Sequence, residues 1–488
     1  MAAEASGRRP ICRELYSATT PTRAAVFPVG HQGGPGGGEG TVVLVHNGPL
    51  GRSRGSMTAR RPATSPSAAS SCVAGPGTGS AGRAGRAGPV PGTGSARPRG
   101  KAVALGGALV ALGAAVGVGL VSRAGWRIYQ SIGTPRARVG FRLAPAELAA
   151  ARDLLARSPV IDTHAHPGRT FVGDAGELTW RLRLYARRRP FEPRSVAAMR
   201  TGGVTAACFC AVADFPTLDA TGHGLAQVRD FDRGEALAYY RAQIGNLHMA
   251  LRRSGAVLVR DTAGLAAART AGQVAGILGV EGADFLEGDL ARVGAAYEDG
   301  VRVLTLVHYR AGGGIGDVMT SPPVHGGLTP FGRDVVTEMG RLGMLVDLAH
   351  ASEATAYDAL EAARGPVLLT HTDVAGEGEH PRFVSLGLAR AVALGGGLVG
   401  AWPAGIAAHS LAGFIRRVER LVELLGEDHV CLGTDMDANY RPVLESYAKM
   451  PLLVGGLLHG GMSETAVAKV VGGNFLRVWG EVEAARGR

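Results

Sequence analysis

Eight residues with metal-ligating side chains close short apolar runs in this 488-residue chain: Asp162, His164 and His166 in VIDTHAH, Glu281 in GVEG, His350 in LVDLAH, His371 in LLTHTD, and Asp435 and Asp437 in CLGTDMD. Asp162, His164 and His166 follow at i, i+2 and i+4, so on a strand of period two they point the same way. A lone strand-end histidine is usually structural, but several carboxylates and imidazoles buried together are costly unless a cation compensates them. With no Cys among them the set suits zinc, with manganese or cobalt as alternatives. It exceeds the three protein ligands usual for one catalytic zinc, which points to two metals sharing a bridging carboxylate and a bridging hydroxide. Such a pair makes hydroxide available near neutral pH and polarises a carbonyl, the chemistry of amide hydrolysis.

Elements of alternating type are needed to bring these tips together. Eight β-branched or aliphatic runs are expected as strands, at 159–166, 204–212, 274–282, 302–309, 344–350, 366–373, 397–403 and 429–437. Amphipathic helices are expected between them over Asp289 to Tyr297, Gly332 to Leu342, Glu353 to Ala363 (with Ser352 as N-cap) and Leu411 to Leu425. Eight buried strands alternating with helices predict an α/β fold of the (β/α)8 TIM-barrel type, and in that fold chemistry gathers at the C-terminal strand ends.

VIDTHAH, GVEGADF, LTLVHY, LVDLAH, LLTHTDV and HVCLGTDMD, in that order and with GNFLRVW near the end, resemble the membrane dipeptidase (renal dipeptidase-type) family of zinc peptidases, within the amidohydrolase-like barrels. The resemblance runs from about Glu147 to Glu483. It implies that His164, His166 and Asp435 hold one zinc, that His350 and His371 hold the other, and that Glu281 bridges the two. It further implies that His308 contacts the substrate and steadies the tetrahedral intermediate, that Arg382 binds the substrate carboxylate, and that Asp435 takes a proton from the nucleophile and passes it to the leaving amine. The implied reaction is hydrolysis of dipeptides, with tolerance of a C-terminal D-residue. The first strand departs from the family's His-x-Asp: His164-Ala165-His166 puts a neutral ligand where an anionic one is usual, implying a more acidic bridging water and a more weakly held first metal. Because His-x-His also opens other amidohydrolases, a related enzyme acting on N-acyl amino acids, lactams or lactones stays open. So does a catalytically inactive binding barrel.

The composition, 46% hydrophobic and 19% charged, is ordinary for a globular chain, but the net charge of +11 and the 75 glycines are not. Residues 1–100 hold 12 Arg, no Lys and three acidic residues, a net +9, together with 20 Gly and 11 Pro. The remaining 388 residues share +2, which argues against a nucleic-acid partner for the body of the protein. Residues 1–101 therefore read as a disordered tail, or as sequence upstream of a later start codon. The uncharged run 102–122 reads as a transmembrane anchor or signal segment, the Arg-rich tail favouring an inside N-terminus and an exported body. Residues 123–146 form a linker, and 147–488 the catalytic barrel. A homodimer is left open.

Among the minor features, Cys12, Cys72, Cys208, Cys210 and Cys431 are too few and too unevenly spaced for a disulfide framework, and Cys208 and Cys210 are expected as small hydrophobes on one strand face. Gly312 to Gly316 lack the context of a nucleotide loop and are expected as a flexible loop over the site. His223, His248, His325, His380, His409, His429 and His459 are expected at surface or structural positions, and Asp162 and Asp437 as residues orienting the ligands.

Overall fold

The computed structural model of the protein describes residues 137–187, 191–221, 224–376 and 380–487. The tail and the apolar run 102–122 lie outside these residues; among those described, no helix is long and apolar enough to cross a membrane.

All eight expected strands form, as β1 Ile161–Ala165, β2 Ala206–Val212, β3 Ala275–Glu281, β4 Val301–Thr305, β5 Leu345–Asp347, β6 Leu368–Val374, β7 Leu398–Ala401 and β8 Val430–Leu432. They pair in parallel in sequence order, β1 to β8. The two outer strands meet just beyond β8, where the Asp435 N–H donates to His164 O at 2.8 Å and the His166 N–H to Met436 O at 2.9 Å. These bonds carry the eight-stranded sheet round into a barrel, as the alternating pattern predicts.

Every residue of these strands is buried, the state of parallel strands covered by helices on one face and by a barrel interior on the other. Strand alternation divides them. Ala207, Phe209 and Ala211 join the core beneath the helices, whereas Ala206, Cys208 and Cys210 cluster with Ile161, Ile277, Leu368 and Cys431. Phe475, Val478 and Trp479 of the C-terminal helix Asn474–Ala484 complete that inner cluster. A Cβ at Gly400 or Gly433 would lie 1.8 Å from Thr370 O, so only glycine lets the backbones of the last three strands approach this closely.

The four expected helices form as Ala291–Glu298, Pro330–Leu342, Glu353–Ala362 and Leu411–Leu425. Ser352 caps the third by accepting from the Thr355 N–H, and Thr329 and Ser410 cap the second and fourth in the same way. Smaller strands add to this frame: Val257–Val259 beside β3, Phe383–Val384 beside the end of β6, and a hairpin of Leu218–Thr221 with Gly224–Gln227 following β2. The glycine-rich segment is tied down by the His325 ring on Gly313 O at 2.9 Å and by the Thr329 hydroxyl on Gly314 O at 2.6 Å.

Asp162 is a clamp on the barrel seam. Its Oδ1 accepts the Thr434 N–H at 2.8 Å and the His164 N–H at 3.2 Å; its Oδ2 accepts the Thr434 hydroxyl and, at 2.6 Å, the Tyr447 hydroxyl. It therefore orients His164 through the backbone rather than through the ring. Asp162→Ala leaves several buried donors unpaired and is expected to cost about 3 kcal/mol or more, at roughly 1–3 kcal/mol per unsatisfied group. Denaturant unfolding checks this; a midpoint equal to wild type would show that the seam does not depend on Asp162.

Candidate metal centre

Each of the eight strands contributes to one buried mouth. His164 lies within β1 and His166 just after it; Glu281 ends β3; His371 lies within β6; His308, His350 and Asp435 each come three residues after β4, β5 and β8. His350 and Asp435 hold φ of 69° and 52°, left-handed values that are unfavourable for residues with a Cβ and that gather at functional sites.

Glu281 is the hub. Its Oε1 lies 3.0 Å from His350 Nε2 and 3.4 Å from those of His164 and His371; its Oε2 lies 3.5 Å from those of His166 and His308. Asp435 Oδ1 stands 3.4 Å from His166 Nε2. The imidazoles converge in pairs, His164 and His166 with Nε2 atoms 3.0 Å apart, His350 and His371 with theirs 3.1 Å apart. Three overlapping groups have ligand atoms within 4.8 Å of one another: His164 with His166 and Asp435, His164 with Glu281 and His371, and Glu281 with His308 and His350.

The Nδ1 atoms explain why the Nε2 atoms converge. His166 Nδ1–H donates to Cys210 O at 2.9 Å. His371 Nδ1 meets Thr370 Oγ1 at 3.0 Å, and that hydroxyl gives its own proton to Asp347 Oδ2 at 2.8 Å, so the imidazole is the donor. His308 Nδ1 lies 2.6 Å from Asp214 Oδ1, and His164 Nδ1 lies 3.6 Å from Cys210 Sγ. With Nδ1 engaged, each of these four rings turns Nε2 to the centre, as a metal-ligating histidine requires, whereas His350 Nδ1 is buried without a hydrogen-bond partner among the described residues.

The electrostatics fit a cation site. Burial, with His164 beside it, pushes His166 down to about 3; burial together with the Arg382 charge holds His350 and His371 well below the ordinary imidazole range, so these rings are neutral and their lone pairs free. Burial pushes Asp435 up to about 7, Glu281 adding to the rise while His164 opposes it. Burial would also raise Glu281, but the facing His308 and His164 outweigh it and hold that carboxylate well below its usual range. For His308, burial acts downward and is overcome by Asp214 and Glu281, leaving it raised. A carboxyl that ionises only near neutrality, beside the neutral His350 and His371 rings with Nε2 atoms 3.1 Å apart, is a donor set in want of positive charge. Nitrogen and oxygen donors from His, Asp and Glu match zinc.

Arg382 supplies an electrophilic flank. It is 3% exposed, its Nη2 3.4 Å from His371 O and its Nη1 3.4 Å from Met319 Sδ, with the Trp402 ring 5.1 Å from the guanidinium. Arg382 Nε and Trp402 Nε1 are buried without hydrogen-bond partners among the described residues. Two donors held this way beside His371 suit an incoming anion.

The strand tips left bare on reading the sequence are thus occupied: Asp214 stands two residues beyond β2 and Trp402 directly follows β7. Looking one or two residues past every strand end would have found both. Cys210 and Asp347 carry no such signal, since each reads as part of an apolar strand. Asp437, expected to orient ligands, instead accepts the Gly168 N–H at 3.0 Å and the Ser195 hydroxyl at 2.6 Å, holding neighbouring segments. His325, His380, His429 and His459 make local contacts away from Glu281; His223 lies outside the described residues.

Residues 148–488 match the model of a family described as membrane dipeptidase (peptidase family M19). Dipeptidase verJ of Clonostachys rogersoniana is 32% identical over 218 residues, 43% of this chain and 56% of that protein. Dipeptidase aclJ of Aspergillus oryzae is 34% identical over 221 residues, 43% of this chain and 52% of that protein. The match thus spans about half the length of these curated relatives. Among solved structures, the probable dipeptidase PvdM from Pseudomonas aeruginosa superposes with a TM-score of 0.59 at 16% identity, covering 70% of this chain and 100% of that one. A metallo peptidase from Rhodobacter sphaeroides, liganded with a phosphinate mimic of the dipeptide L-Ala-D-Ala, superposes with a TM-score of 0.56 at 22% identity, covering 67% and 99%. These likenesses establish a shared fold.

Proposed function

The chain belongs to the membrane dipeptidase family, and from that premise we propose that it hydrolyses dipeptides with two zinc ions bound in the barrel mouth. The observation that carries the reading is the convergence of five imidazoles on Glu281 beside a buried arginine that has no carboxylate partner among the described residues. His164, His166 and Asp435 would hold one ion, His350 and His371 the other, and Glu281 would touch both. When bound, the ions supply an ionised water near neutral pH and polarise the scissile carbonyl.

The chain's own groups do the rest. Arg382, with the Trp402 N–H next to it, takes the free carboxylate of the substrate and fixes its register. Asp435, at the edge of the donor set, accepts a proton from the attacking water and returns it to the leaving amine. His308 directs Nε2 at the centre and stabilises the oxyanion.

A screen of L,L- and L,D-dipeptides against their N-acyl and C-amidated counterparts tests the proposal. Cleavage confined to free dipeptides is expected; activity indifferent to the C-terminal carboxylate would favour the alternative amidohydrolase. The His-x-His opening supplies a second test. Putting a carboxylate in place of the neutral His166 makes the reacting centre less positive, so in His166→Asp the acidic limb of the pH–rate profile moves to higher pH. An unmoved limb would remove His166 from the charge balance. The apolar run 102–122 supports placing the enzyme at a membrane with its barrel extracytoplasmic, which protease accessibility in intact cells would test.

A further inference from the structure

We infer that Asp214 is a positioning residue for hydrolysis, gripping the His308 ring by its Nδ1–H so that Nε2 is delivered to the reaction centre; this rests on the reading of His308 as the group that meets the substrate. Asp214 is fully buried and its two oxygens hold two parts of one segment. Oδ1 lies 2.6 Å from His308 Nδ1, while Oδ2 accepts the backbone N–H groups of Tyr309 at 3.0 Å and Arg310 at 3.1 Å. Ring and backbone are therefore fixed by a single carboxylate. The opposite ring nitrogen, Nε2, then stands 3.5 Å from Glu281 Oε2, on the side where the scissile group must lie.

The segment carrying His308 is braced from its other side as well. Arg310 reaches Asp284 and Asp230, each at 3.0 Å, and the Tyr309 ring packs edge-on to His308 at 4.5 Å. None of the hydrogen bonds made by Asp214 goes to Glu281, Asp435 or the four other imidazoles of the centre. Its effect is therefore separable from metal binding. Without the carboxylate, a buried ring can flip about χ2 and exchange its nitrogen and carbon edges, which removes the donor from the centre although no substrate contact has been mutated.

Asp214→Asn is the informative variant. An amide oxygen can still accept from the Tyr309 and Arg310 N–H groups, but the amide N–H₂ then faces Nδ1, so the charge-assisted Nδ1–H bond that grips the ring edge is lost. On the zinc-loaded protein, kcat is expected to fall about 10–100-fold, the range typical of losing an outer partner, with KM within about threefold and zinc content unchanged. Added to His308→Ala, the same substitution should produce no further fall, because Asp214 acts through that ring. In proton NMR, the wild type should show a far-downfield Nδ1–H resonance that disappears in both His308→Ala and Asp214→Asn.

A further fall in the double variant, or a resonance that persists in Asp214→Asn, overturns the inference. Should the wild type cleave no dipeptide, the dipeptidase reading fails on its own and the resonance decides this one: its loss in Asp214→Asn sustains the Asp214–His308 grip, its persistence refutes it.

Discussion

Glu281→Gln is expected to lose zinc and activity together while the barrel stays folded. The Glu281 carboxylate faces Nε2 atoms of five histidines at 3.0–3.5 Å, and no other carboxylate among the described residues is so placed. An amide keeps the shape but loses the charge and one of the two ligand oxygens, so it could not serve both of the proposed ions. Deleting an outer hydrogen-bond partner of a metal site commonly costs 10–100-fold, so losing the shared ligand should exceed ~100-fold in kcat/KM. Zinc analysis should give one ion or fewer per chain, against the two proposed for the wild type. The thermal stabilisation that zinc is expected to confer on the wild type by binding the folded state should shrink accordingly. A variant that retains two ions and ordinary turnover would show that Glu281 does not bridge them.

The second large effect concerns selectivity. Arg382→Met is expected to lower kcat/KM for a free dipeptide by about 10²–10³-fold, or ~3–4 kcal/mol, within the range for truncating one partner of a buried, hydrogen-bonded charge pair. For the C-amidated counterpart the change should be less than about threefold, because that substrate brings no charge to pair. Stability should respond oppositely. A buried guanidinium without a carboxylate partner costs free energy that the folded, ligand-free enzyme must bear, and methionine fills the space against Met319 and Trp402 without that charge. The ligand-free Tm is therefore not expected to fall. Equal losses on both substrates would place the substrate carboxylate elsewhere, and a marked drop in Tm would show that Arg382 is held for structural reasons.

These two residues illustrate different degrees of legibility. Glu281 could be read from the chain because it ends a buried apolar strand, and a carboxylate in that position has few uses besides a cation. Arg382 was reachable only through family resemblance, since it lies in the connection after β6 rather than at a strand tip and owes its place to the Thr372 hydroxyl bonding Arg382 O at 2.9 Å. Asp214 and Trp402 were within reach of the strand-tip rule, the one two residues beyond β2 and the other directly after β7. Cys210 and Asp347 were not legible at all. Cys210 lies on β2 at the same inward-facing period as Cys208, yet only Cys210 meets His164.

From the linear chain came the eight strands, the capped helices between them, and the set of tips bearing imidazoles and carboxylates, because periods of 2 and 3.6, N-cap chemistry and the expense of burying charge are all local properties. The near neutrality beyond residue 100 likewise followed from counting alone. Tertiary structure decided how the imidazoles are turned. Which atom the Nδ1 of His166, His164 or His308 meets, Cys210 O, Cys210 Sγ or Asp214 Oδ1, depends on neighbouring strands and loops brought alongside by pairing, and the adjacent Thr370 hydroxyl that meets His371 is itself turned by Asp347 of the next strand. That pairing spans separations of up to 94 residues for His308 and Asp214. Only the curl of the strands into a barrel turns these tips inward, and only then do five imidazole Nε2 atoms face one carboxylate.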